Sequence, residues 1–346
     1  MLGISAILVV IAGVALAGAL HTTPQEAGVS STPAHLGHLT IAARSANLAG
    51  PTSNAGPIIG TNDAAGWGPA AARTIRHGHI TWDRIDLDGP YNTLNISLHD
   101  GFKVLAIAGN VEVPLSEVNP SQWGAHIAYE LTASKGISIA EAGNEMYLKG
   151  NVANPLQYGR MYMAAIEAMH AAGIHTRLLF NMTGDIPLDT WSDPGSWSED
   201  ANGGGWLREA VSGVPGLASA ILANGVSVHP YGALRENEHD DWGIASVAAE
   251  ETVANAVLGG IPPVYVTEIG YSLSFCGSNN GACSRSEQAS KLLAAYKVFL
   301  ADPHVDGIWW YQSHDDSTGH YGFMTEKSRP RPAFRVLAAI GEAVGQ

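Results

Sequence analysis

Short apolar runs separated by longer amphipathic stretches recur along the chain from residue 57 to its end. Runs of about five residues, rich in Ile, Val and Leu and bounded by Gly, Pro, Asn or Asp, predict buried strands. Apolar residues at three- and four-residue spacing over longer windows predict helices. On these rules strands fall at 57–62, 80–86, 103–108, 137–145, 177–181, 226–231, 262–271 and 307–312. Helical patterns over 68–76, 92–99, 121–134, 156–172, 206–224, 244–258, 286–301 and 331–344 follow them one for one. Pro155 stands where a helix accepts a first-turn proline, and Ser284 or Ser286 can cap the helix that follows.

Strand–helix alternation repeated through about 290 residues predicts one α/β domain over 57–346, a (β/α)8 TIM barrel of parallel strands. A doubly wound open sheet is the alternative. Such a sheet ordinarily carries a glycine-rich phosphate turn after its first strand, and Gly60-Thr61-Asn62-Asp63 is not one. In a barrel the C-terminal strand ends converge on one face. Arg84, Asn144, Glu145, Asn181, His229, Tyr231, Glu268 and either Trp309 or Trp310 are therefore expected around one cleft.

The residues before the domain read differently. Residues 1–19 form an apolar run broken by Gly and Ala, with small-x-small patterns at Ala15-Leu16-Ala17 and Ala17-Gly18-Ala19, as in a cleaved signal peptide. A secreted or extracytoplasmic protein is the expectation. The run lacks Lys or Arg at its start and nears spanning length, so an uncleaved membrane tether is the alternative. Residues 20–56, mostly Thr, Ser, Pro, Ala, Gly and His without periodicity, read as a linker or loose N-terminal extension.

Composition narrows the function classes. With 346 residues, 46% hydrophobic and 14% charged, the chain can bury a sizeable core. Its net charge of −14 comes from 32 acidic against 18 basic residues without a basic run, which argues against a nucleic-acid partner. The two cysteines, Cys276 and Cys283, lie in a segment rich in Gly, Ser and Asn. In an exported protein they are expected to bond, adding about 2–3 kcal/mol and pinning the loop after Glu268. No cofactor or metal is expected, and the chain reads as a monomer. His77-Gly78-His79 has the spacing of a metal pair, but it precedes the second strand and so falls on the N-terminal face. His314-Asp315-Asp316 is on the opposite, C-terminal face and reads as a substrate-binding or solvated loop.

The candidate chemistry rests on two carboxylates. A lone glutamate at a strand exit is ordinarily a solvated residue, and Glu268 by itself would be no more. Glu145 ends an earlier strand in the same way, 123 residues upstream (268 minus 145). Two carboxyl groups about 5–5.5 Å apart suit double-displacement cleavage of a glycosidic bond, one as nucleophile and the other as acid and then base. Arg84 and Tyr231 are placed to hold the nucleophile ionised by charge-assisted hydrogen bonds, and an ionised neighbour favours the proton staying on the other carboxyl.

These residues resemble glycoside hydrolase clan A, the retaining (β/α)8 glycosidases that include cellulases, mannanases and xylosidases. The resemblance covers about residues 57–346. It implies that Glu145 is the acid/base, preceded by Asn144 binding a sugar 2-hydroxyl, and that Glu268 is the nucleophile. Glu141 is similar to a glutamate often found in that strand. His229-Pro230-Tyr231 is similar to the clan's His-x-Tyr, whose Tyr touches the nucleophile, as does an Arg at the place of Arg84. Trp309-Trp310 matches the strand-eight Trp beneath the sugar, with Trp310 the choice of the two. The clan commonly has Pro after Asn-Glu, and Met146 stands there instead, which leaves the subfamily open. The implied substrate is a poly- or oligosaccharide with β-linkages. A carbohydrate-binding barrel without turnover and a transglycosylase using the same carboxylates are the other readings. Asn181 is expected to line the cleft.

Overall fold

The computed structural model describes residues 56–89, 93–111, 113–146, 154–182, 204–230, 242–274, 282–316 and 319–346. The expected signal segment, most of the linker, Tyr231 and Cys276 lie outside the described residues.

Eight strands close into a barrel: β1 (Ile58–Asn62), β2 (Trp82–Asp86), β3 (Lys103–Ala108), β4 (Ile139–Ala142), β5 (Arg177–Asn181), β6 (Val226–Val228), β7 (Val264–Ile269) and β8 (Val305–Trp310). Each pairs in parallel with the next, and β8 closes on β1. Around it run α1 (Pro69–His77), α2 (Leu94–His99), α3 (Pro120–Ala133), α4 (Pro155–Ala171), α5 (Gly204–Gly213), α6 (Leu217–Asn224), α7 (Trp242–Leu258), α8 (Arg285–Ala301) and α9 (Pro332–Ala343). The barrel is the expected (β/α)8 fold.

Local chemistry explains where several helices begin. Pro69, Pro120, Pro155 and Pro332 occupy first-turn positions where no N–H is needed. The side chains of Asn119 and Asn154 accept from the backbone N–H groups of Gln122 and Gln157. Ser284, rather than Ser286, caps α8, and the Glu287 carboxylate accepts in turn from the Ser284 backbone N–H. The pattern over 206–224 predicts one helix, whereas the structure has two. Pro215 lacks the N–H that a continuous helix requires, and Gly216 takes φ 81°, a left-handed backbone.

Inside the barrel, Ile58, Trp82, Leu105, Ile139, Leu179, Tyr265 and Trp309 form one apolar cluster, drawn from seven of the eight strands. The much larger second cluster packs the outer strand faces against the helices. Trp309, one of the two tryptophans of the inner cluster, meets the other, Trp82, edge-on, ring centroids 6.0 Å apart. Two glycines make room for it. A Cβ on Gly60 would fall 2.2 Å from the Trp309 Nε1, and one on Gly307 would fall 2.5 Å from its ring.

Gly60→Ala should therefore overpack the barrel interior and cost about 1–3 kcal/mol. Thermal unfolding checks this through a clearly lowered Tm; an unchanged Tm would mean that Trp309 can shift to admit a methyl group.

Candidate active site

The inner face of the barrel changes character towards its C-terminal end, where Arg84, Glu141, Thr267 and Glu268 project from β2, β4 and β7. Arg84 and Glu141 are buried, and the Glu268 side chain is only 11% exposed. Burying three charges is costly unless they pair. The guanidinium meets this condition with a fork of donors. Its Nε donates to Glu141 Oε1, its Nη1 to Glu268 Oε1 at 2.5 Å and its Nη2 to Asn144 Oδ1 at 2.8 Å. The second oxygen of Glu141 accepts from the Thr267 hydroxyl at 2.9 Å.

Burial by itself would raise the Glu141 carboxyl. The charge of Arg84 and hydrogen bonds from His229 and Arg84 outweigh it and hold the group down at about 2, so Glu141 is an anion throughout the physiological range. Arg84 is driven the other way: burial opposes its charge, but Glu141 and Glu268 more than compensate and raise it further.

His229, just past the end of β6, links both halves of the site. Its Nδ1 lies 3.2 Å from Glu145 Oε1 and 3.8 Å from Glu268 Oε2, and its Nε2 lies 3.0 Å from Thr267 Oγ1. Burial would lower its pKa, but the Glu268 charge and hydrogen bonds to Glu141 and Glu145 raise it to about 10. His229 is thus an imidazolium that donates at both nitrogens. Arg84 Nη2 approaches Nε2 to 3.4 Å, and with both groups protonated this is a contact between donors rather than a hydrogen bond.

Glu145 lies beyond the strand to which the sequence pattern assigns it. β4 ends at Ala142, and the chain turns sharply through Gly143 at φ 77° and Glu145 at φ 46°. A left-handed backbone at a non-glycine residue costs free energy and persists only where the surroundings enforce it. Two contacts do so here. A Cβ on Gly143 would come 2.3 Å from the Met146 sulfur, so the fully buried Met146 side chain packs directly under the turn. The Met146 N–H points to Asn181 Oδ1 at 3.5 Å. Proline at this position could not make that contact, a physical correlate of the departure from the clan's usual Asn-Glu-Pro.

Asn181 supports the turn from beneath. It is buried, its Nδ2 donates to Ser227 Oγ at 2.6 Å and its backbone N–H donates to the Tyr158 hydroxyl at 3.0 Å. Glu145 is left with a side chain 30% exposed. One carboxylate oxygen of Glu145, one of Glu268 and a ring nitrogen of His229 all lie within 4.8 Å of one another. Such a trio could surround a divalent ion. The Arg84 guanidinium already supplies positive charge facing Glu268.

The structure thus brings together Arg84, Asn144, Glu145, Asn181, His229 and Glu268. Trp310 does not join them. The expected strand 307–312 is shifted, since β8 covers Val305–Trp310, and Trp309 is the residue on the inner face. Trp310 turns outward to the helix layer, fully buried, its Nε1 donating to Tyr321 O at 3.0 Å and its ring packing against Tyr271. Neither tryptophan is open to a ligand. His79 is bound to Gln346 O at 2.9 Å, away from these groups. Sequence reasoning missed Thr267 as the link between Glu141 and His229; its only signal was its place next to Glu268.

No protein-family model matches the sequence, and no curated protein sequence matches it either. Solved structures do. A family 39 glycoside hydrolase from Bacteroides cellulosilyticus superposes with a TM-score of 0.58 at 15% identity, over 83% of this chain and 64% of that one. The present chain therefore spans less than two thirds of that neighbour. A GH5_18 protein from Streptomyces cattleya, solved with GlcNAc, gives 0.54 at 15% identity over 84% of this chain and 80% of that one. A GH128 endo-β-1,3-glucanase from Amycolatopsis mediterranei, solved with laminaritriose and laminaribiose, gives 0.50 at 17% identity over 82% and 98%. All are clan A (β/α)8 barrels, and this chain shares their fold.

Glu141→Gln should destabilise the protein by about 3 kcal/mol at neutral pH, because it leaves the Arg84 charge short of a buried partner. The folded Glu141 carboxyl sits at about 2 against an ordinary 4.5, so its contribution is complete above pH 4.5 and is lost as pH falls towards 2. Urea unfolding at successively lower pH should show the gap between wild type and variant closing over that interval. A gap that stays constant would contradict the ion-pair assignment.

Proposed function

We propose that the chain is a retaining glycoside hydrolase that cleaves β-glycosidic bonds in poly- or oligosaccharides through a covalent glycosyl-enzyme. The observation that carries this reading is the approach of Glu145 and Glu268 carboxylate oxygens to within 4.8 Å. An approach that close accords with the roughly 5–5.5 Å between the carboxyl groups of double-displacement glycosidases.

Electrostatics divides the roles. Arg84 and the His229 imidazolium are positive and Glu141 is negative, so one further ionised carboxylate balances the cluster. Glu268 is that carboxylate, since it accepts directly from Arg84. Glu145, 30% exposed against 11% for Glu268, is left as the acid/base. In the first step Glu268 attacks the anomeric carbon while Glu145 protonates the departing oxygen. In the second, Glu145 takes a proton from water, which displaces Glu268 from the sugar with a second inversion and so net retention. Arg84 Nη2 occupies Asn144 Oδ1, leaving the amide end of Asn144 as the donor for a sugar hydroxyl. Asn181 acts through Met146 and the Glu145 turn, as a positioning residue.

Export of the protein, guided by residues 1–19, accords with action on polymeric substrates outside the cytoplasm. A Cys276–Cys283 bond belongs to the same reading; Cys276 lies outside the described residues, and no described cysteine is free.

Glu268→Ala should abolish turnover of aryl β-glycosides. Added azide should restore it, giving an α-glycosyl azide, because the small anion enters from the face that Glu268 vacates and Glu145 remains to protonate the leaving group. Full activity in the variant, or a β-azide product, would sink the assignment.

A further inference from the structure

A pyranose ring presents an apolar C–H face that suits an aromatic partner, and both β8 tryptophans are enclosed. The described residues offer two exposed large aromatic side chains, Trp67 and Tyr129. Tyr129 lies on α3 in the outer layer of helices. Trp67 lies just beyond the C-terminal end of β1, on the face that carries Arg84 and Glu268. We propose that Trp67, backed by His314, forms a stacking platform for a pyranose ring of the bound glycan, a subsite on the rim of the catalytic cleft. The proposal rests on the reading of the chain as a glycoside hydrolase and extends it by naming a residue that sets preference for longer chains.

The platform is built and held rigid. Trp67 stacks on His314 with ring centroids 4.4 Å apart and planes 16° from parallel. One indole face is therefore committed, while the residue stays 37% exposed. His314 is itself fixed: its Nδ1 lies 2.9 Å from Ser313 Oγ and its Nε2 lies 3.0 Å from Ser328 Oγ. Burial lowers its pKa to about 4 against the opposing charge of Asp315, so the ring behind Trp67 is neutral at ordinary pH.

The turn that carries Trp67 is anchored from below by Asp83 on the outer face of β2. Its carboxylate accepts from the backbone N–H groups of Ala64 and Ala65 at 2.8 and 3.3 Å and from Ser97 Oγ at 2.7 Å. A preformed aromatic surface loses little conformational entropy when a ligand settles on it.

Space and position fit a sugar. Trp67 is flanked by Gly66 and Gly68, and an added Cβ at either would meet nothing within 4 Å. Gly68, at φ 89°, also needs its glycine for the turn into α1; Gly66 has a right of way in space without that constraint. The platform joins the site through Asp63, whose backbone O accepts from Ser313 Oγ and whose carboxyl senses the charges of Arg84 and Glu268. β1 and β7 are two ladder steps apart across β8. At about 4.8 Å per step the ends of those strands are on the order of 10 Å apart, and Trp67 lies in the turn beyond the β1 end, within reach of an oligosaccharide chain.

The test is calorimetric titration of the full-length Glu268→Gln protein with cello-, laminari- and manno-oligosaccharides from disaccharide to hexasaccharide. Adding Trp67→Ala should weaken binding of the longer members of the preferred series roughly tenfold. Trp67→Leu, which keeps an apolar side chain against His314 without an aromatic face, should weaken it similarly, and Trp67→Phe should restore most of it. Thermal unfolding of each variant confirms that it is folded. Equal affinity of the Ala, Leu and parent proteins for every chain length overturns the platform; if the wild type still turns over these chains, the hydrolase reading survives. Binding that depends on Trp67 without wild-type turnover overturns the hydrolase and upholds the platform. No binding of any oligosaccharide overturns both.

Discussion

A guanidinium buried between two carboxylates organises this protein's C-terminal face. Arg84 enters the barrel from β2 and divides its donors among Glu141 on β4, Glu268 on β7 and Asn144 in the β4 turn. Replacing such a cluster with apolar side chains is often neutral or stabilising, so stability is a poor reason to keep it. Its value lies in fixing charge and direction. Glu141 is locked as an anion and neutralises part of Arg84, and the remainder of the guanidinium charge is turned on Glu268. His229 repeats the arrangement at the opposite edge, where its two nitrogens reach Glu145 and Thr267.

The barrel interior and the site constrain each other. Trp309 fills the space between Gly60 and Gly307 and forms part of the apolar floor beneath the charged layer. That task takes it out of contact with ligand, and Trp310 is committed to the helix layer. Among the described residues, the rim offers an exposed aromatic in the loop after β1, the preformed stack of Trp67 on His314.

Much of this was legible in the sequence because strand ends that carry Arg, Asn-Glu, His and Glu stand out against apolar runs. The eightfold alternation was equally plain, and it is what made those ends converge. Other features depended on register or on contacts far apart in the chain. Choosing between Trp309 and Trp310 required knowing that β8 ends at Trp310, since a shift of one residue exchanges inner and outer faces. The division of the 206–224 helix was signalled by Pro215-Gly216 and outweighed by apolar periodicity on either side. Glu141 was visible as a residue, but its pairing with Arg84, 57 positions earlier, arises only when β2 and β4 are set on either side of β3 in the closed barrel. Only its place next to Glu268 marks Thr267, the bridge between Glu141 and His229.

The most direct measurement of the central claim, that the chain is a retaining β-glycosidase, is proton NMR of the first product formed from whichever aryl β-glycoside it accepts. A Glu145–Glu268 pair separated as observed predicts the β-anomer at early times, followed by slow mutarotation. Initial appearance of the α-anomer would mean single displacement by water, and would contradict the assignment of Glu268 as a nucleophile held in place by Arg84.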